Sequence, residues 1–346
     1  MTSLGRLLQT YGYLERMADS LRGLLRSALL AIMAVPALMG SLSTFGGAAL
    51  SAPVVDGLGD RLGLNANRKA AINLMFRHTV FFINPFSATL ILTANLAGVS
   101  IPDLMKVQFP LSLTMTAAAY RRLVAGVKEE RIDEDTPLSN HMREFVFPSA
   151  PILLSLALTL LLGVRLIAAL TVSIAFLLAS EWKKRPLRPK EALIYLDVPL
   201  MMAIVFIMIF KGFVADLPLV AESVRWSDSA GIPLEPVVFI ITAVLALFSG
   251  SPQAAIAVAL PLLLRGTPNY SSRLLSAYFV FVISFIGYLG SPLHLCQILT
   301  NKYFCADAGA VYPEYWPVPS VTIACAMLLY LVYRANPSFV AMVVGR

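Results

Sequence analysis

The chain has 346 residues, of which 58% are hydrophobic and 14% charged, with mean hydropathy +0.75, whereas a soluble globular chain carries roughly 25% charge. Together with the gathering of apolar residues into long blocks, this excludes an ordinary soluble domain and predicts a membrane protein. The net charge of +7 does not point to nucleic acid, because Lys and Arg are dispersed among short loops between apolar spans, where they report orientation.

Residues 1–26 do not read as a signal peptide, since Glu15 and Asp19 interrupt any apolar run and no small-residue cleavage site follows. Leu4, Leu7, Leu8, Tyr11, Leu14, Ala18, Leu21 and Leu25 recur at helical spacing opposite Arg6, Arg16, Asp19 and Arg22, which predicts an amphipathic helix suited to the membrane interface. Residues 29–55 form an apolar stretch broken in its middle by small and polar residues. The break leaves two pieces too short to cross, so the expectation is a re-entrant hairpin, tolerable only where protein or a watery cavity surrounds it. A Gly- and Asn-rich linker, Asp56 to Arg68, follows. The span at 76–96 is headed by Arg77 and His78, read as interfacial anchors, and should unwind at Asn84-Pro85, where proline removes a donor and clashes with the preceding turn. A further span is expected at 104–123.

Residues 121–143 form a charged loop, followed by expected spans at 148–163, 166–181 and 193–211. Phe213 to Trp226 is again amphipathic, with Val214, Leu217, Val220 and Val224 against Asp216, Glu222 and Arg225. A second interrupted stretch, 237–264, reads as a second hairpin. After the short linker Arg265 to Arg273 comes a second broken span, 279–300, interrupted at Ser291-Pro292, and then a last span at 317–334.

These elements repeat at an offset of 207 residues. Pro85 shifts onto Pro292, Pro110 onto Pro317, Ile91-Leu92-Thr93 onto Ile298-Leu299-Thr300, and Ser43-Thr44-Phe45-Gly46 onto Gly250-Ser251-Pro252-Gln253. Paired interrupted hydrophobic segments at matching places in two halves are the best sequence pointer to a transporter's binding site. The expected organisation is a first repeat at 1–124, a charged cytoplasmic linker at 125–147 and a second repeat at 148–346, forming one integral transport domain. Counting crossings makes the repeats inverted. The side that gathers most of the basic residues, among them Arg121, Arg122, Lys128, Arg131, Arg143, Lys183, Lys184, Arg185, Arg188 and Lys190, is then cytoplasmic, with the C-terminus outside. The first repeat has no counterpart to the spans beginning at 148. Met1 shifts onto Met208, so a full-length relative is expected to carry roughly 60 more residues at the front, 208 minus 148.

Half-helices that end near the bilayer midplane aim free N–H groups and a positive dipole end at anions, while unwound carbonyls suit cations. The residues expected to bind solute or ion are Ser43, Thr44, Gly46, Gly47, Asn84 and Pro85 from the first half. From the second half they are Ser249, Gly250, Ser251, Gln253, Gly290, Ser291, Pro292 and His294, with Ser41, Ser87, Thr300 and Asn301 also polar in these segments. His294 could relay protons or donate to a solute, or simply pack as a neutral imidazole. Intramembrane acids are few: Asp56 and Asp197 read as capping or snorkelling residues, which leaves sodium and protons equally open as coupling ions. Cys296, Cys305 and Cys325 show neither a Cys-x-x-Cys pair nor metal-ligand spacing and read as inert thiols. No metal site or cofactor is expected. No phosphate-cradling Gly-x-x-x-x-Gly-Lys-Ser/Thr loop occurs.

The run Phe45-Gly46-Gly47-Ala48-Ala49-Leu50-Ser51-Ala52-Pro53, then Ile72-Asn73 with Phe76-Arg77-His78, then Ser291-Pro292-Leu293-His294-Leu295-Cys296, resembles a family of bacterial and archaeal integral membrane proteins. That family, domain of unknown function 401, is grouped with the ion transporter superfamily, beside permeases for dicarboxylates, citrate, gluconate and arsenite. The resemblance implies an all-α polytopic fold of two inverted repeats, each with a re-entrant hairpin and a discontinuous helix, an elevator-like motion, a homodimer and a prokaryotic plasma-membrane location. In two respects the chain departs from the family: Phe81 and its neighbours stand where an acidic residue commonly follows the Arg-His pair, and the N-terminal spans are missing. The functional expectation is a secondary active transporter of a small anionic solute, coupled to sodium or protons and not an enzyme. The alternatives are a truncated, non-transporting membrane protein, or an intramembrane hydrolase with Ser251 as nucleophile and His294 as base.

Overall fold

The computed structural model describes residues 2–42, 47–132, 136–182, 233–264, 267 and 269–345, with the single positions 202, 205, 209 and 229. Among the described residues there are helices and no strands. Apart from those single positions, the expected span at 193–211 lies outside them, as does the amphipathic piece Phe213 to Trp226.

The amphipathic N-terminus folds as two helices, α1 (Thr2–Thr10) and α2 (Tyr13–Leu25), separated at Gly12, whose φ of 71° only glycine adopts without strain. The apolar face is covered by protein. Leu4, Leu8, Leu14 and Met17 are fully buried where the pair packs on α3 (Ala28–Ser41), α8 (Leu138–Leu160) and α9 (Leu166–Glu181). Polar contacts fix that packing: Arg16 Nη2 pairs with Glu144 Oε2 at 2.6 Å, and Tyr13 OH donates to Glu181 Oε1 at 2.6 Å. Burial, and then the Glu181 carboxylate beside it, pushes the Tyr13 phenol above its ordinary value.

The interrupted stretch at 29–55 folds as α3 and α4 (Gly47–Arg61), packed against each other. The expected linker 56–68 is mostly helical, a correction to the sequence reading. One of its glycines is a packing residue: a Cβ at Gly59 would collide with the stem of Lys69, whose Nζ pairs with Asp56 and, at 2.7 Å, with Asp60. Asn65 then caps α5 (Ala66–His78) by accepting from the Arg68 N–H at 2.9 Å. Because α5 starts so early, Arg77 and His78 fall at its end, 7% and 4% exposed. They are interior residues rather than the interfacial anchors that the sequence suggested. A short 3₁₀ turn, Phe81–Ile83, leads to α6 (Ala88–Ala97) and then α7 (Ile101–Leu123).

The charged loop is shorter than expected, since α7 runs through Arg121 and Arg122 and α8 begins at Leu138. In the second half, α10 (Leu234–Ser249) and α11 (Pro252–Leu264) pack together as the second hairpin. The second broken span is α12 (Tyr270–Gly290) and α13 (Leu295–Phe304). The chain ends in α14 (Ala308–Tyr315), α15 (Pro317–Ala335) and α16 (Pro337–Val344).

Among the described residues, three helices are long and apolar enough to cross a membrane: Ala66–Ala97 and Tyr270–Phe304, each taken across its break, and Pro317–Ala335. The chain is a helical membrane protein. Helix α7, expected as a span, is 23 residues long but carries Asp103, Lys106, Gln108, Arg121 and Arg122 and is not among the three. The hairpin arms have 13 to 16 residues, about 20 to 24 Å of helix at ~1.5 Å per residue, short of a ~30 Å hydrocarbon core.

A shift of 207 carries Ala88–Ala97 onto 295–304, the bounds of α13, and Ala28–Ser41 onto 235–248, inside α10. The packing follows the same exchange. Helix α4 packs on α13 as α11 packs on α6, and α5 packs on α13 as α12 packs on α6.

Candidate functional site

A break in a helix leaves backbone carbonyls and N–H groups that must find partners elsewhere. At the first break the Thr79 carbonyl accepts from Ser112 of α7. Asn84, buried, accepts the Phe86 N–H at 3.0 Å and donates Nδ2 to the Ser41 carbonyl at 2.9 Å. The side chain thus closes its own turn and ties the break to the end of α3. Pro85 follows in that turn, and Ser87 caps α6.

The second break is fastened in a similar way with different residues. Tyr315 OH donates to the Leu289 carbonyl and Tyr312 OH to that of Gly290, both at 3.1 Å. Ser291, fully buried, accepts the Leu293 N–H at 3.1 Å, and Pro292 is exposed. The tip of the second hairpin lies against this turn. Gly250 has φ 60°, and a Cβ there would stand 2.9 Å from the Cβ and the carbonyl oxygen of Leu293. Beside it, Ser249 Oγ donates to the Leu245 carbonyl at 2.6 Å, and Ser251 Oγ donates to Gln253 Oε1 at 3.0 Å.

The two broken spans meet at their breaks. The His78 ring, at the end of α5, lies 4.9 Å from that of His294, which starts α13, and Tyr288 lies 3.9 Å from His294. Phe81 stacks on Phe285 at 4.5 Å, and Phe82 meets the same ring edge-on at 4.8 Å, so the 3₁₀ turn is wedged into α12 by aromatic packing. The ligand atoms of His78, His294 and Cys296 all lie within 4.8 Å of one another. A second polar node sits nearby. Asn73, fully buried, accepts from Ser51 Oγ of α4 at 2.6 Å, and its Nδ2 donates to the Ala48 carbonyl at 3.1 Å and to Thr300 Oγ1 of α13 at 3.2 Å. One amide therefore joins the first hairpin, the first broken span and the second.

Of the residues expected from sequence, Ser43, Thr44 and Gly46 lie outside the described residues, and Gly47 opens α4. Ser249, Gly250, Ser251 and Gln253 form one tip, which meets the turn holding Gly290, Ser291, Pro292 and His294 where Gly250 approaches Leu293, while Asn84 and Pro85 form the other turn. The Ser251–His294 pair is not assembled: the Ser251 hydroxyl is engaged with Gln253, and neither ring nitrogen of His294 reaches a hydrogen-bonding partner of normal geometry among the described residues. Sequence reasoning passed over Asn73, Tyr288 and Cys296. Cys296 was read as inert because the cysteines show neither a Cys-x-x-Cys pair nor metal-ligand spacing, although its place two residues after His294 was visible.

A family profile described as "Protein of unknown function (DUF401)" matches residues 1–333. The chain belongs to this family. No curated protein matches it. Membership covers both hairpins and both broken spans, so the crossing just described lies wholly inside the family's matched region.

Proposed function

We propose that this member of the family is a secondary active transporter of a small anionic solute, coupled to sodium or protons, working by elevator-like alternating access. The observation that carries the reading is the crossing of the two broken spans at their breaks, with the second arm of each hairpin packed on the far half of the opposite broken span. The exchange of elements under the 207-residue shift supports an inverted repeat, and arms shorter than a bilayer support re-entrant hairpins. An anion is favoured because buried Arg77 stands at the crossing and two short helices, α6 and α13, begin there with their positive ends. The Asn73 node supplies the hydroxyls and carbonyls that an accompanying cation needs.

The test is a thermal-shift screen of the detergent-purified chain against small carboxylates and oxyanions, each in sodium and in potassium. A ligand that binds only the folded state raises stability by RT ln(1 + [L]/Kd). The expected result is a shift with one solute class, lost in Asn73→Ala, followed by uptake of that solute into proteoliposomes. A folded sample that no solute shifts, and that takes up none, overturns the proposal.

A further inference from the structure

At the crossing, two buried imidazoles and a half-buried thiol come together without the hydrogen-bond network that settles Asn73. His294 is fully buried and its two ring nitrogens have no partner of normal geometry, an arrangement that costs ~1–3 kcal/mol for each unsatisfied group. His78 differs in a telling way. Its Nδ1 lies 2.7 Å from the Leu74 carbonyl, which can only accept, so Nδ1 donates there and Nε2 is the ring nitrogen left to face the Cys296 thiol. A carbonyl behind one ring nitrogen is how metal-ligating histidines are commonly oriented. Cys296 follows in the first turn of α13, where the positive end of the helix meets the charge of a ligating thiolate. Tyr288 OH lies 3.9 Å from its sulfur, as an outer partner would.

We propose that His78, His294 and Cys296 form a three-donor site for a soft monovalent metal ion, copper(I). Soft thiolate ligands with imidazole select copper(I) or zinc, and charge decides between them here. Copper(I) and one thiolate sum to zero, whereas a divalent ion leaves a net positive charge next to Arg77 in an apolar interior, where unpaired charge is costly. Metal–ligand bonds of ~2.0–2.3 Å hold donors about 3.3–4 Å apart, so the present cluster closes by roughly 1 Å on binding. As the S–Cu bond forms, the thiol S–H bond breaks and its proton leaves to solvent; the ion stays copper(I) and no electron moves. The site joins the two broken spans, so an ion there crosslinks the halves of the molecule whether or not the transport reading holds.

The experiment uses the full chain in detergent, anaerobic and reduced, in a C305S/C325S background that removes the exposed and half-buried thiols outside the cluster. Copper(I) is titrated against a chromophoric copper(I) chelator, and zinc(II) against a zinc chelator. The expected result is one copper(I) per chain with one proton released, weakened more than ~100-fold by Cys296→Ser or His294→Gln, beyond the 10–100-fold typical of outer-partner mutations. X-ray absorption on the copper-loaded C305S/C325S chain, which does not depend on the C296S or H294Q variants folding, should show one sulfur and two nitrogen donors. Affinity that survives C296S, sulfur-only coordination, zinc bound as tightly as copper, or no binding at all overturns the assignment.

Discussion

Gly250 and Gly63 share a left-handed backbone, with φ of 60° and 68°, but differ in surroundings. Nothing lies within 4 Å of a Cβ built on Gly63, whereas one on Gly250 stands 2.9 Å from two atoms of Leu293. Gly63→Ala should therefore cost only the left-handed strain, roughly 1–2 kcal/mol. Gly250→Ala adds an overlap between the second hairpin tip and the second break, and overpacking of this kind costs about 1–3 kcal/mol, giving about 2–5 kcal/mol in total. Equilibrium unfolding in a mixed detergent titration, followed by far-ultraviolet circular dichroism, measures both variants on one scale. Equal losses for the two would show that the tip does not press on the break, and would remove the structural basis for treating residues 249–253 and 291–294 as one site.

Asn73→Ala removes the buried hydrogen bonds to Ser51, Ala48 and Thr300 and should destabilise by about 2–3 kcal/mol; a double-mutant cycle with Thr300→Val should show coupling, and additivity would mean the 3.2 Å bond is energetically idle. Tyr13→Phe removes the phenol from the buried Glu181 carboxylate and should cost roughly 1–3 kcal/mol, with the loss read as a lower unfolding midpoint. Phe81→Ala removes a half-buried ring stacked at 4.5 Å on Phe285 and should cost less than the ~3–5 kcal/mol of a fully buried phenylalanine, measured in the same titration. Arg16→Met breaks a pair whose two side chains are 39% and 46% exposed, so the change should stay below ~1 kcal/mol and vanish at high salt.

The breaks were the most legible part of the chain, because proline inside an apolar run has a local cause and a local effect. Ser291-Pro292 falls where α12 ends, and Asn84-Pro85 falls inside the first break, between the 3₁₀ turn and α6, although α5 itself stops earlier, at His78. Glycine misled for the opposite reason. Gly57 and Gly59 look like loop residues in one dimension, yet they sit inside α4, and at Gly59 the neighbour that needs the missing Cβ is Lys69 of α5. The early start of α8 was likewise invisible, since the contacts that hold its first turns, Arg16 with Glu144 and Tyr13 with Phe147, span more than a hundred residues. The amphipathic N-terminus showed its apolar stripe but not what covers it.

The two halves solve one mechanical problem with unlike residues, and this sets the limit of what an internal repeat reveals. Shifting by 207 aligns the prolines because both breaks need a residue that cannot continue a helix. The partners that satisfy the freed carbonyls do not align: a serine hydroxyl from α7 serves Thr79, and two tyrosines from α14 serve Leu289 and Gly290. The chemical residues do not align either. His294 shifts back onto Ser87, and Cys296 onto Thr89, so only the second half brings an imidazole and a thiol to its break, and the first half answers with His78 from the opposite end of its own. A search for symmetric pairs finds the scaffold and misses this cluster, because an ion or solute held at the crossing of the two breaks needs one set of donors, not two.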